Sequence, residues 1–183
     1  MDVEKLALEG VLLIRPRTFA DERGYFLEIH HDARYREAGV PGPFVQDNLS
    51  WSHRGVVRGL HFQNPNGQGK LVMAMAGTIF DVAVDIRRGS PTFGRWVGAL
   101  LTAEGHEQLY IPAGFAHGFC VVSETALVSY KCAALYDPKA EATVLFADPD
   151  LAIAWPTKEP IVSAKDRAGV YLRDIAPEKL PAA

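Results

Sequence analysis

From Val56 onward the chain is a succession of short β-type segments, and this pattern constrains the fold more than any other feature of the sequence. Clusters of Gly, Pro, Asn and Ser separate the segments at regular intervals. Such spacing is typical of a β-sandwich or β-barrel. The candidate strands are 56–62, 70–75, 78–86, 95–101, 107–111, 118–122, 126–133 and 143–147.

The segments on either side of this region follow a different pattern. A helix is predicted over 32–38, because Asp32 can cap its start and Gly39 can end it. The Pro-rich stretch 148–183 is predicted to be irregular and to pack against the barrel. Strands are predicted at 11–15 and 25–29, and polar turns at 19–24 and 50–55.

The bulk composition excludes several classes of protein. With 183 residues, of which 48% are hydrophobic, the chain is long enough to bury a core of its own. A net charge of −3 gives no basis for a broad nucleic-acid or anionic-membrane surface. No segment has the length of a membrane span or the pattern of a signal peptide, and the two cysteines are too few for a disulfide scaffold. We therefore expect a cytoplasmic protein without nucleic-acid or membrane partners.

Two histidines on predicted strands are candidates for chemistry. His61 follows Arg58-Gly-Leu, and His117 follows a Pro- and Gly-containing turn. A lone histidine in a strand is more often structural than functional. A metal-binding barrel would also place a second histidine two residues after the first, on the same face of the strand. That position is Gln63. The pattern thus favours acid–base chemistry at His61 without a metal.

Three further residues have a structural and a functional interpretation each. Lys70 opens a strand, where it reaches solvent or stabilises a developing oxyanion. Tyr130 fills core volume or donates a proton, and because strand residues alternate, Tyr130 and Lys131 must face opposite sides. Asp166 lies in a solvated turn or orients a histidine. The sequence leaves these alternatives open.

Two arginines, Arg23 and Arg58, are candidate phosphate ligands, because a guanidinium group matches phosphate oxygens. Surface ion pairs are the alternative for both. Arg58 and His61 are three residues apart, so on a regular strand they would face opposite ways. We predict either a β-bulge between them or an arginine that serves the site of a neighbouring subunit.

Taken together in order and spacing, these segments resemble the dTDP-4-dehydrorhamnose 3,5-epimerase family. The resemblance runs from Gly10 to about Asp166 and includes Tyr130-Lys131, Asp148-Pro149, Trp155-Pro156 and Lys165-Asp166. The longer matching motifs are 19–28, 46–50, 58–63, 68–72, 81–87, 90–94 and 111–119.

The resemblance implies an all-β protein: a cupin-type jelly-roll β-barrel with a few short helices. It implies one epimerase domain over 1–183, with the jelly-roll core at about 44–147, and a homodimer. The implied activity is that of an isomerase, namely cofactor-independent epimerisation at C3 and C5 of dTDP-4-dehydro-6-deoxy-D-glucose. The product would be dTDP-4-dehydro-L-rhamnose, on the route to dTDP-L-rhamnose.

The resemblance also implies roles for individual residues. His61 would be the base, Asp166 its orienting partner and Tyr130 the acid on the opposite face of the sugar, while Lys70 would stabilise the enolate. The residues implied to bind the nucleotide sugar are Arg23, Glu28, Gln46, Asp47, Asn48, Arg58, Lys70, His117, Glu141 and Lys165.

Two rival functions remain open at the level of sequence. A single-centre epimerase, acting at C3 or at C5 of a dTDP-4-keto-6-deoxysugar, would use the same base and acid. A non-catalytic nucleotide-sugar binding module would belong to another class, and it would have no need for His61, Lys70, Tyr130 and Asp166 together.

Overall fold

The computed structural model describes all 183 residues, and β-strands dominate it. Two short helices, α1 (Asp32–Glu37) and α2 (Ala164–Arg167), and two 3-10 turns, Leu172–Asp174 and Pro177–Lys179, are the only helical elements. The strands in chain order are β1 (Asp2–Lys5), β2 (Leu12–Arg15), β3 (Thr18–Asp21), β4 (Gly24–Leu27), β5 (Gln46–His53), β6 (Val57–Gln63), β7 (Lys70–Ala76), β8 (Thr78–Asp85), β9 (Trp96–Thr102), β10 (Gln108–Ile111), β11 (Phe115–Val121), β12 (Thr125–Cys132) and β13 (Glu141–Thr143). No helix is both long and apolar enough to span a bilayer.

Two antiparallel sheets face each other and form the barrel. The first has the strand order β1-β2-β10-β7-β12-β5, and the second the order β13-β6-β11-β8-β9. β3 and β4 form a separate hairpin outside both sheets. The fold is the predicted all-β jelly-roll, and its first sheet extends beyond the predicted core 44–147 by recruiting β1 and β2.

Hydrophobic side chains fill the barrel and also cover the outside of the second sheet. The inner cluster joins residues of both sheets, such as Val72, Ile79 and Val128. A second cluster joins alternate residues of β8 to Leu151 and Leu172 of the C-terminal segment. The C-terminal segment therefore packs on the barrel, as predicted, and this packing supports the proposal of a single domain.

Three predictions about the N-terminal part differ from the structure. Residues 50–53 belong to β5 and not to a turn, because Gln46–His53 pairs continuously with β12. The side chain that caps α1 belongs to His31 and not to Asp32: His31 Nδ1 accepts from the Arg34 amide, while Asp32 pairs with Arg36. Residues 19–24, predicted as a turn, contribute strand residues to the β3–β4 hairpin.

A β-bulge in β6 brings Arg58 and His61 to the same side of the strand. His61 pairs with His117, but Arg58 pairs with Phe119, so three steps along β6 match two along β11. Gly59 takes up the irregularity with a φ of +119°, and a Cβ there would lie 2.6 Å from the Cα of Gly118. Only glycine fits both the backbone conformation and this close approach. The bulge is one of the two arrangements that the sequence predicted.

Candidate active site

A cavity of about 270 Å³ opens between the two sheets, and its wall is mostly polar. Both sheets and helix α2 contribute to it, so residues far apart in the sequence meet there. The lining residues are Ser50, Arg58, His61, Lys70, His117, Phe119, Tyr130, Ser163, Lys165 and Asp166. All four predicted catalytic residues are among them.

His61 and Asp166 form a hydrogen-bonded pair, with Nε2 of the histidine 2.6 Å from Oδ1 of the carboxylate. The amide of Gly59 donates to Asp166 Oδ2, and the hydroxyl of Ser163 receives a hydrogen bond from the Asp166 amide. Burial would raise the pKa of Asp166, but the hydrogen bond and charge of His61 outweigh it and hold the pKa below its usual range. An ionised carboxylate only accepts, so Nε2 carries the proton and Nδ1 is left as the basic nitrogen.

His117 pairs with a second carboxylate, that of Asp81, at 2.8 Å. Asp81 is fully buried, and this burial raises its pKa although His117 and Lys70 lower it in part. Its second oxygen, Oδ2, has no hydrogen-bond partner. The sequence assigned no role to Asp81; the only signal was its position on the same face of β8 as the core residue Ala83.

Lys70 is the buried cation of the site, since only 7% of the residue is exposed. It is the first residue of β7 and pairs with Cys132 of β12. Desolvation lowers the pKa of its ammonium group, and the nearby Cys132, Glu141 and Asp81 reverse this only in part. A desolvated ammonium at the wall of a cavity interacts strongly with negative charge that develops beside it.

Tyr130 and Lys131 face opposite sides of β12, as the alternation predicted. Tyr130 lines the cavity and packs against the inner core, whereas the ammonium of Lys131 lies 2.9 Å from Asp47 Oδ1. Burial raises the pKa of the Tyr130 phenol, so the hydroxyl stays protonated at neutral pH. The ring centroid of Tyr130 is 6.5 Å from that of His117.

Several predicted binding residues lie at the cavity or along its rim. Arg58 donates from Nε to Ser52 Oγ at 3.0 Å, and Lys165 donates to Glu141, which also accepts from the Tyr136 hydroxyl. Burial would raise the pKa of Glu141, but the bonds from Lys165 and Tyr136 hold it below its usual range.

The inward face of β5 contributes two more of the predicted binding residues. Gln46 donates to Asn48 and accepts from the Tyr136 amide, while Asn48 donates to the Cys132 sulfur. These side chains extend the polar wall from the cavity along β5.

Three predicted binding residues lie neither at the cavity nor along its rim. Arg23 lies in the β3–β4 hairpin, where it pairs with Asp21 and is 84% exposed. Glu28 pairs with Arg34. Asp47 faces the outside of β5 with Lys131.

The sequence also missed three residues of the cavity wall. Ser50 was missed because residues 50–55 were interpreted as a turn, although the period-two polar pattern of β5 indicates a strand with one solvated face. Ser163 caps α2, and Phe119 follows His117 on β11. No group of three or more His, Cys, Asp or Glu side chains is arranged to hold a metal ion.

The arrangement suits proton transfer next to a carbonyl group. A carboxylate-oriented imidazole supplies a base, a buried ammonium supplies positive charge for an enolate oxygen, and a protonated phenol supplies an acid. His61 lies on the second sheet and Tyr130 on the first, so a base at His61 and an acid at Tyr130 would approach a ligand from opposite walls.

Comparison with known proteins yields consistent relatives. The family model described as dTDP-4-dehydrorhamnose 3,5-epimerase matches residues 5–174. A dTDP-4-dehydrorhamnose 3,5-epimerase of Pseudomonas aeruginosa is 51% identical over 95% of this chain and 97% of its own length. A dTDP-4-dehydrorhamnose 3-epimerase of Streptomyces niveus is 44% identical over 95% of this chain and 85% of its own.

A solved structure is similar over the whole chain. The dTDP-6-deoxy-D-glucose-3,5-epimerase of Legionella pneumophila, in complex with dTDP-4-keto-L-rhamnose, superposes with a TM-score of 0.96 at 47% identity. The match covers 100% of this chain and 98% of that one.

Proposed function

The chain belongs to the dTDP-4-dehydrorhamnose 3,5-epimerase family of isomerases, and from this membership we propose that it epimerises dTDP-4-dehydro-6-deoxy-D-glucose at C3 and C5. The product is dTDP-4-dehydro-L-rhamnose. The observation that carries the proposal is the convergence of His61, Asp166, Lys70 and Tyr130 on one cavity.

The chemistry needs each of these four groups. The protons on C3 and C5 both flank the C4 ketone, so removal of either one gives an enolate with its charge on the C4 oxygen. His61 removes the proton, Asp166 holds the imidazole and stabilises its charged form, and Lys70 faces the enolate oxygen. Inversion requires that a proton return from the other face, and Tyr130 is the donor there.

The magnitude of each contribution follows from general experience with such groups. A positioned acid or base contributes on the order of 10²–10⁴-fold to the rate. Removal of one oxyanion-stabilising donor costs about 10²–10³-fold in kcat. These factors allow epimerisation with neither a metal nor a cofactor in the mechanism.

The nucleotide sugar is held by charged and polar groups around the cavity. Arg58 and Lys165 supply positive charge for the diphosphate, and His117 closes the wall beside Tyr130. Gln46, Asn48 and Glu141 line the rim from β5 and β13.

We also propose a homodimer in which Arg23 and Glu28 serve the cavity of the partner subunit. The support is their position: Arg23 is exposed on a hairpin outside both sheets, and neither residue lines the cavity of its own subunit. Asp47, on the outer face of β5, would act at the same subunit boundary. A two-fold dimer would complete both sites in the same way.

The proposed reaction is a step toward dTDP-L-rhamnose for carbohydrate biosynthesis, carried out in the cytoplasm. Cys120 and Cys132 are both buried free thiols. Unpaired thiols are typical of proteins that work in a reducing compartment.

Incubation with dTDP-4-dehydro-6-deoxyglucose in D₂O, followed by NMR, tests the function. We expect deuterium at both C3 and C5 and an L-configured product. His61→Ala should abolish exchange, while His53→Ala, on the exposed end of β5, serves as a matched control that keeps wild-type exchange.

The same experiment separates the rivals. Deuterium at one carbon alone would support a single-centre epimerase. This rival is relevant because the chain is 44% identical to the Streptomyces niveus 3-epimerase. Binding of the nucleotide sugar with no exchange at all would support a non-catalytic module and contradict the proposed function.

A further inference from the structure

Alternate residues of β5 form a polar row on the inside of the barrel. The row consists of Gln46, Asn48, Ser50 and Ser52, since residues two apart on a strand share a face. Polar side chains inside a barrel need hydrogen-bond partners, because an unpaired buried polar group costs free energy.

Three members of the row have such partners within the protein. Gln46 bonds to Asn48 and to the Tyr136 amide, Asn48 donates to the Cys132 sulfur, and Ser52 accepts from Arg58. Ser50 differs from them: its Oγ is buried and has no hydrogen-bond partner.

Ser50 also differs in its position, because its side chain lines the cavity. It pairs with Val128 of β12, and the next inward residue of that strand is Tyr130. Diagonal neighbours on adjacent strands lie about 7–8 Å apart at their Cα atoms, within reach of a common ligand. A serine side chain has a single rotatable bond, so its hydroxyl can turn toward a ligand oxygen in the cavity.

We propose that Ser50 is a sugar-binding residue whose hydroxyl donates a hydrogen bond to an oxygen of the bound sugar ring. The contact lies on the wall that carries Tyr130 and holds the sugar in register with that phenol. The proposal rests on the proposed function, and it explains why the residue of the row that lines the cavity is the one whose hydroxyl has no partner within the protein.

The role predicts opposite effects on stability and on binding. In the free protein, Ser50→Ala removes an unsatisfied buried group, so the Tm should be unchanged or higher. With ligand, the variant loses one neutral hydrogen bond, so KM for the substrate should rise by about three- to tenfold. If the hydroxyl had a purely structural role, its removal in Ser50→Ala would lower the Tm and leave KM unchanged.

The experiment compares wild type, Ser50→Ala, Ser50→Thr and Ser129→Ala. Ser129 is the matched control, because it lies on β12 opposite Leu49 and faces away from the cavity. Calorimetry measures affinity for dTDP and for dTDP-L-rhamnose, and turnover of dTDP-4-dehydro-6-deoxyglucose gives KM and kcat.

We expect Ser50→Ala to bind dTDP as wild type does and dTDP-L-rhamnose about three- to tenfold more weakly. Ser50→Thr keeps the hydroxyl and should retain most of the affinity. Unchanged affinity for dTDP-L-rhamnose in an active Ser50→Ala variant would overturn the role of Ser50, as would equal losses for both ligands. Absence of turnover in the wild type would instead overturn the proposed function.

Discussion

Asp166 lies 2.6 Å from the Nε2 atom of His61 although 105 residues separate the two in the chain. The carboxylate comes from α2, which packs against β6. The contact fixes the tautomer of the imidazole, so that Nδ1 is the nitrogen left to accept a proton.

Replacement of this carboxylate by the isosteric amide should therefore disable the base without unfolding the protein. In Asp166→Asn the amide can no longer stabilise the imidazolium, and we expect exchange to slow by about 10²–10⁴-fold. Deuterium uptake from D₂O measures the rate. Asp150→Asn is the control, since Asp150 pairs with Arg173 on the surface. A loss of less than tenfold in Asp166→Asn would contradict the orienting role.

In the proposed mechanism, Tyr130 determines whether a removed proton returns to the other face of the sugar. Tyr130→Phe keeps the ring that packs on the inner core but removes the proton donor. We expect inversion to fall by about 10²-fold or more, while wash-in of deuterium with retained configuration falls much less. NMR of the recovered sugar separates the two quantities, and equal losses of exchange and inversion would refute the assignment.

Lys70 should set the alkaline limit of the reaction. Burial lowers the pKa of Lys70 from the ordinary lysine value of ~10.4, so the ammonium that we propose to face the enolate loses its proton at a lower pH than a free lysine does. The rate should accordingly decline as the pH rises through this lowered pKa. In Lys70→Arg the guanidinium, whose pKa exceeds ~12, stays charged, and the decline should move to higher pH. Exchange rates in buffers of increasing pD test this; coincident profiles would contradict it.

The parts of this molecule that the sequence predicts well are those governed by local periodicity. The alternation of residues along the sequence predicts the strands β8 and β12. The same alternation predicts that Tyr130 and Lys131 lie on opposite faces of β12. The spacing of Arg58 and His61 predicts an irregularity, and the bulge at Gly59 supplies it. In each case the signal lies in residues that are close together in the sequence.

The parts that the sequence hides depend on long-range packing. β5 is polar on its inward face because that face borders a cavity, so its pattern is easily mistaken for a turn. β8 is buried on both faces, which conceals that Asp81 faces His117. The position of Arg23 outside its own cavity depends on a hairpin whose location no local pattern specifies.

Asp85 should make the fold sensitive to acid. Burial would raise its pKa, but hydrogen bonds from Arg87, Ser90 and Thr92 lower the pKa to about 2. Because the unfolded chain has an ordinary pKa of ~3.9, this carboxylate stabilises the fold above that pH, and the stabilisation is lost as the pH falls toward 2.

Asp85→Asn should then cost about 2 kcal/mol of unfolding free energy near neutral pH and flatten the acid dependence. Urea unfolding at neutral and acidic pH measures both effects. The exposed Asp174 provides the control, since Asp174→Asn should leave the profile as it is. A wild-type acid dependence in Asp85→Asn would show that other groups dominate.

Subunits should complement one another if Arg23 acts in the partner's cavity. Arg23→Ala and His61→Ala homodimers would each lack one component of every site. A mixed dimer would have one doubly defective site and one site with both Arg23 and His61 intact. With random exchange, half of the dimers are mixed, so about a quarter of the wild-type activity should return.

The measurement is turnover at limiting substrate after the two variants are unfolded and refolded together, compared with the same variants refolded apart. The control for nonspecific effects replaces Arg23→Ala with Arg36→Ala, because Arg36 pairs with Asp32 on the surface of α1. The Arg36→Ala protein already has intact sites, and refolding it together with the His61 variant should not increase its activity.

If Arg23 acts in its own subunit, no arrangement of mixed dimers contains a complete site, and the joint refolding should yield no more activity than the separate samples. The exposed position of Arg23 on a hairpin outside the barrel favours the shared site, since its guanidinium, paired only with the neighbouring Asp21, can be reached by the diphosphate of a neighbouring cavity.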